Sequence, residues 1–415
     1  PLLLSANHPS SLLDPVIVGL ASRRPVRFFA KAPLFETPIL GVIMRALVMI
    51  PAYRGQDDRA QVKKNLESLE RGIELLAQGE AVGIFPEGKS HDLERVEMVR
   101  GGAARMALQA AKRAPDLQVV PIGLNYEKKE RFFSSIWVQV GQPILMREWI
   151  EMQSVEVEKQ LSRLFTAELE ARMREVSIHL QDYQYHAEVD DLELLAPLTS
   201  VEHDALLPAL HRRKRITDAI NYFAREEPDT ANRVLEQLQG FRKQVERAGL
   251  KTSATVLRCS SLQTFVRLLT RWVGLTLLLP VALVGTAFHA IPFVIVRVLA
   301  ARATPPGRTA ISLYRLLFGL PVYGLWYVVT IVVGLRLLPW PLVVGLLVAL
   351  PVSGVIALGY WITVKLAARS WWSESQALLR PGVLRHLVRQ RSDLCTQLQE
   401  LAQRFLALEG DRPTG

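Results

Sequence analysis

The sequence predicts an α/β fold, a mixed sheet flanked by helices, followed by a charged helical region and C-terminal transmembrane helices. Three observations carry this. Short apolar runs bounded by turn residues alternate with helical periodicity over 1–149, 150–269 is helical in pattern and dense in charge, and 272–364 contains long uncharged stretches.

Leu2 to Ala6 suit a buried strand, and Asn7 to Ser11, with Pro9 and two serines, a turn. Asp14-Pro15 has the form of a helix start, with proline at the first helical position, and predicts a helix to about residue 21. Further strands are predicted at 26–31, 47–53, 81–85, 118–126 and 136–140. Between them, 58–78 places Val62, Leu66, Leu69, Ile73 and Leu76 on one helical face, with Gly79 as its C-terminal stop. A second helix is predicted over 101–112, beginning with small residues that permit close backbone approach.

Residues 150–269 form the charged helical region, and Arg212 to Arg215, its densest basic cluster, read as a solvated face, with an anionic-lipid contact as the alternative. The expected membrane domain, 270–370, holds a segment at 272–296 and a hairpin of 316–335 and 342–364 turning at Pro339-Trp340-Pro341. Basic residues at both outer ends of that hairpin place those ends in the cytoplasm. Segment 272–296 has arginines on both sides and is expected to be re-entrant or interfacial rather than a true span. An amphipathic helix and tail follow over 371–415. The chain begins with proline inside an apparent strand, so a further segment is expected upstream.

A formal charge of +10 suits nucleic acid, anionic lipid or phosphorylated small molecules. Uncharged helices favour lipid, and basic and aromatic residues do not interleave in the soluble part, so no nucleic-acid partner is expected. Cys259 and Cys395 lack CxxC or histidine neighbours, which predicts neither a disulfide framework nor a metal site.

His8 and Asp14 follow the first strand, and a histidine beside a carboxylate is what proton transfer near neutral pH needs. Gly83 to Ser90 also fit the P-loop spelling G-x-x-x-x-G-K-S, but Gly83 lies within an apolar strand run and Pro86-Glu87 fills the place of the phosphate cradle. A nucleotide site is therefore a remote reading, as is Ser10 or Ser11 acting as a nucleophile, since G-x-S-x-G is absent.

Taken together, NHPSSLLDP at 7–15, IPAYR at 50–54, FPEGKS at 85–90 and VVPIG at 119–123 resemble the four ordered blocks of the glycerolipid acyltransferases, which act on glycerol 3-phosphate or lysophosphatidate. The resemblance covers about residues 1–145. It implies a membrane-bound enzyme whose catalytic domain faces the cytoplasm, with His8 as general base, Asp14 orienting it, and direct attack of a glycerol hydroxyl on an acyl thioester. Arg54, Glu87, Gly88, Lys89 and Ser90 are implied on the phosphate-bearing acceptor and Pro121 on the donor side. Within this set Lys89 is an inference from charge, and Glu87 suits a hydroxyl or Arg54 better than a phosphate. No cofactor is implied beyond acyl-CoA or acyl-carrier protein as co-substrate. The family usually separates histidine and aspartate by four residues. Here five stand between them, Pro9 to Leu13, so the pair requires a turn there rather than continuous helix. The alternative from another class is a non-catalytic lipid-binding protein that keeps the fold.

Overall fold

The structure, a computed structural model, describes residues 1–10, 13–36, 38–53, 62–91, 93–127, 134–155, 157–195, 209–254, 257, 261–303 and 311–410. The chain divides into two compact units. The first comprises Pro1–Tyr183, Ala209–Thr217 and Pro305–Leu313; the second comprises Gln184–Pro208, Asp218–Thr304 and Tyr314–Gly415.

In the first unit the elements run β1 (Leu2–Ala6), α1 (Leu13–Ala21), β2 (Val26–Lys31), α2 (Pro38–Ala46), β3 (Ile50–Ala52), α3 (Val62–Ala77), β4 (Ala81–Ile84) and α4 (Gly102–Arg113). They continue through β5 (Gln118–Tyr126), β6 (Ile136–Val140), β7 (Ile144–Leu145), α5 (Met146–Glu151) and α6 (Glu158–Val176). The sheet order is β3-β2-β4-β1-β5-β6, with β7 also on β5; β6 and β7 pair antiparallel to β5 and the other pairs are parallel. The sheet is therefore mixed, as predicted.

Right-handed crossovers dictate which face each helix covers. Moving from β1 to β2 and on to β3, the chain travels toward one edge, so α1 and α2 lie on one face, where Leu4, Ala6, Val18, Phe28, Val120 and Ile122 form a core. It then reverses, and α3 and α4 cover the other face over Leu3, Val82 and Val119. Leu161, Phe165, Leu169 and Met173 of α6 are buried in this second core, so the sheet domain extends beyond residue 149. β4 and β1 are neighbours whose following helices leave to opposite faces, which opens a crevice at their carboxyl ends.

Two differences from the predicted elements have local causes. Helix α2 and the brevity of β3 were hidden because α2 ends in a Schellman turn: Val48 N–H donates to Arg45 C=O and Met49 N–H to Met44 C=O, both at 3.0 Å. The helices before Gly79 and Gly249 end in the same way, with those glycines at φ +84° and +73°. Val48 takes that position at φ +52°, strained for a β-branched residue. Val48→Gly is expected to stabilise the unit by about 1 kcal/mol, seen as slower hydrogen exchange in α2 and β3.

His179, behind α6, is buried and accepts a hydrogen bond from Val96 N–H at Nδ1, 3.0 Å. Burial first, then the positive charges of Arg174, Lys214 and Arg95, lowers its pKa from 6.5 to about 4. The unfolded chain binds the proton more readily, so the stability from neutral His179 is complete above pH 6.5 and is lost as pH falls toward 4. The loss is on the order of 3 kcal/mol. His179→Asn, which keeps an acceptor for Val96, should flatten this acid limb in unfolding measurements across that range.

In the second unit, α7 (His186–Leu195), the second half of α8 (Ala209–Glu226) and α9 (Pro228–Arg247) precede α10 (Ser261–Ala303), the greater part of α11 (Ile311–Leu337), α12 (Trp340–Leu378) and α13 (Pro381–Gly410). Three of these helices are long and apolar enough to cross a membrane, over Phe265–Ala303, Tyr314–Leu337 and Trp340–Lys365. α10 and α12 pack antiparallel: Trp272 meets Trp371, Gly285 lies against Ser353 and Ala357, and His289 against Gly354. Small residues allow this approach. Segment 272–296, expected to be re-entrant or interfacial, lies within the single continuous α10 despite Pro280 and Pro292. Cys259 lies outside the described residues, and among the described His, Cys, Asp and Glu no group could hold a metal ion.

Candidate active site

The site is built where β1 and β4 end. β1 stops at Ala6, and the Asn7 side chain continues its pairing with β5, accepting from Leu124 N–H at 2.7 Å and donating to Leu124 C=O at 3.2 Å. Because a side chain satisfies β5 at that point, the backbone of His8 is released to turn away.

The loop after β4 holds the released backbone. His8 N–H donates to Glu87 Oε2 at 3.1 Å, and His8 C=O accepts from His91 N–H at 3.2 Å. Glu87 is fully buried in its side chain and also accepts from Glu97 N–H at Oε1, 3.2 Å, and from the His91 ring at Oε2, 2.9 Å. Since Nδ1 of His91 accepts from Leu93 N–H, its Nε2 carries the proton given to Glu87. Gly88, at φ +72°, closes the turn by donating its N–H to Phe85 C=O, and a Cβ there would press on the Arg100 side chain at 3.1 Å.

The His8 ring stacks on Phe85, with centroids 4.2 Å apart and planes at 15°, and is mostly enclosed. Its Nδ1 lies 2.9 Å from Oδ2 of Asp14, a fully buried side chain at the start of α1. The same carboxylate accepts from Ser10 N–H at 2.7 Å and from the Tyr126 hydroxyl at 2.6 Å. All these donors converge on an acceptor-only group, so Nδ1 carries the proton and Nε2 keeps its lone pair. Burial, then the Asp14 charge and the hydrogen bond to it, raises the Tyr126 pKa, which keeps its hydroxyl a donor. The fifth intervening residue does not separate the pair. α1 begins only at Leu13, with Ser10 C=O capping Leu13 and Asp14 N–H, so the additional length falls in the segment before the helix.

The other predicted residues are dispersed. Arg54 and Ser11 lie outside the described residues. Lys89 is half exposed and paired with Glu97 at 2.9 Å, an ion pair that holds the Glu97 pKa down. Ser90 is half-buried beside it. Pro121 is buried within β5, in register with Ser5, and packs toward Gly141 and Val176. Strand alternation places it on the face opposite Leu4 and Ala6 and away from the Phe85 ring. Gly83, the first glycine of the P-loop spelling, lies inside β4, where a Cβ would strike the Phe28 ring at 2.2 Å. Asn7, His91 and Tyr126 were not singled out from sequence. Asn7 and Tyr126 make contacts that depend on β1–β5 pairing, whereas His91 offered only its spacing of four from Glu87.

The family model described as Acyltransferase matches residues 1–125. An uncharacterized acyltransferase of Schizosaccharomyces pombe is 24% identical over 179 residues, 42% of this chain and 26% of that protein. Glycerol-3-phosphate O-acyltransferase 1 of Saccharomyces cerevisiae is 42% identical over 76 residues, 18% of this chain and 10% of the relative. The chloroplastic 1-acyl-sn-glycerol-3-phosphate acyltransferase LPAT1 of Arabidopsis thaliana is 32% identical over 124 residues, 30% of this chain and 32% of the relative. The matches thus span a third or less of these relatives' lengths. The segment from β1 through β5, which holds the histidine–aspartate pair and the glutamate clamp beneath it, is the part of the chain that matches the acyltransferase family model.

Proposed function

We propose that the chain is a membrane-bound O-acyltransferase that moves a fatty acyl group from a thioester, acyl-CoA or acyl-carrier protein, to a hydroxyl of glycerol 3-phosphate or lysophosphatidate. The observation that carries this reading is the 2.9 Å contact of His8 Nδ1 with buried Asp14, which leaves Nε2 as the base. Nε2 takes the hydroxyl proton as the oxygen attacks the thioester carbonyl. The C–O bond forms, the C–S bond breaks, and the thiolate leaves with the proton returned from the imidazolium. Asp14 stabilises that imidazolium. No acyl-enzyme is needed, because the thioester is already activated.

Glu87 acts in this reading by holding the His8 backbone, since its oxygens are engaged by Glu97 N–H, His8 N–H and the His91 ring. The exposed Lys89, beside the tight turn at Gly88, supplies the acceptor side, with Arg54 as a further cation for the phosphate. The apolar helices support a bilayer location, into which an acylated product partitions, and the reading takes the catalytic domain to face the cytoplasm, the side that the basic flanks of α11 and α12 favour for the ends of that hairpin. The non-catalytic lipid-binding reading had the five-residue spacing as its best support, and the 2.9 Å His8–Asp14 contact counts against it.

The test offers the purified chain both acceptors and both donors in a four-way assay for ester formation. Product from one acceptor–donor combination is expected; absence of product from all four, with the protein folded, contradicts the reading.

A further inference from the structure

The outer sides of α1 and α2 are apolar where a water-facing helix is polar. The single polar side chain of α1, Asp14, points inward and is fully buried, while Val16 and Leu20, one turn apart, are 55% and 80% exposed. α2 exposes Val42, and the turn after it exposes Leu47 and Val48. Both helices cover the same sheet face: Ile17 and Val18 of α1 and Met49 after α2 pack on one cluster. By chain crossover Val16, Leu20, Val42, Leu47 and Val48 therefore belong to the same side of the sheet.

Two further features identify what this surface meets. Between residues 13 and 49, Arg23, Arg24, Lys31 and Arg45 are exposed, against a single exposed acid, Glu36, among the described residues. Exposed apolar side chains in a stretch whose exposed charges are mostly basic complement an anionic lipid surface. Val48 also holds a backbone position that glycine fills at the ends of two other helices, and its side chain is directed outward rather than into the core. Strain retained at an exposed apolar residue points to a role outside the fold.

We propose that the α1–α2 face docks on an anionic leaflet, with Leu20, Val42, Leu47 and Val48 reaching the headgroup–acyl boundary and the arginines contacting lipid phosphates. The helices of membrane-crossing length in the same chain supply a bilayer for it to meet. Because α1 starts beside Asp14, docking sets His8 within about one helix length, ~13 Å, of the interface. The proposal concerns the surface and holds whether or not His8 is the base.

The test uses the whole chain with Cys259 and Cys395 changed to Ser, reconstituted in vesicles of phosphatidylcholine with or without phosphatidylglycerol. An environment-sensitive probe is attached at Leu20→Cys and, as control, at Lys112→Cys on the opposite face. Doxyl groups on lipid acyl chains should quench the probe at position 20 several-fold more than at 112, and more strongly with the anionic lipid. Arg23→Ala should weaken the anionic-lipid preference about fivefold. Val48→Gly should reduce quenching at position 20 without lowering thermal stability. Equal quenching at 20 and 112 overturns the proposal. So does a probe at 20 that is shielded in lipid-free detergent yet unquenched in vesicles, as a second copy or another protein cover would make it.

Discussion

Replacing His8 with Ala is expected to lower kcat for acyl transfer by about 10²–10⁴, the range spanned by a positioned general base. KM for the acceptor should change little. The ring is supported by a stack on Phe85 and one hydrogen bond to Asp14, neither of which provides a surface for the acceptor phosphate. The backbone at residue 8 is held by Glu87 and His91 through groups that alanine retains, so the loop keeps its path. Steady-state kinetics with hydrogen exchange in β1 as the fold control separates loss of chemistry from loss of structure.

Asp14→Asn has the second large effect, for a different reason. An amide can occupy the site without disorder: its oxygen accepts from Ser10 N–H and His8 Nδ1–H, and its NH₂ donates to Tyr126, whose hydroxyl turns to accept. The histidine tautomer is then preserved and the charge beside the imidazolium is lost. A unit charge at this range is worth about 4 kcal/mol at an effective dielectric near 20, or roughly 10³ in rate. The variant should fold normally, fall in kcat and keep its KM. Loss of folding without a specific kcat effect would assign Asp14 to α1 rather than to His8.

Much of the sheet domain was legible because its strands are short apolar runs between turn residues. β2, β5 and β6 end where the pattern ends. α2 was not legible, since Val48 stands where glycine would have announced a helix end, and β7 has only two residues. In the site, His8, Asp14 and Gly88 stood out because their chemistry is local to short motifs. Tyr126 did not, because its partner Asp14 is distant in sequence and meets it only once β5 lies beside β1. Glu87 was visible as a residue but not as a clamp: a carboxylate next to glycine reads as a substrate ligand until the backbone donors aimed at it are placed. For 272–296, flanking charge pointed away from a span, while the continuous helix along α12 depends on Gly285, Ser353 and Ala357 meeting across distant segments.

The most direct measurement is kcat for His8→Ala, Asp14→Asn and the double variant under saturating donor and acceptor. If Asp14 serves the reaction only through His8, Asp14→Asn costs nothing further once His8 is gone, and the double variant turns over at the rate of His8→Ala. Multiplying losses in the double variant would contradict the histidine–aspartate pair as a single proton-transfer unit.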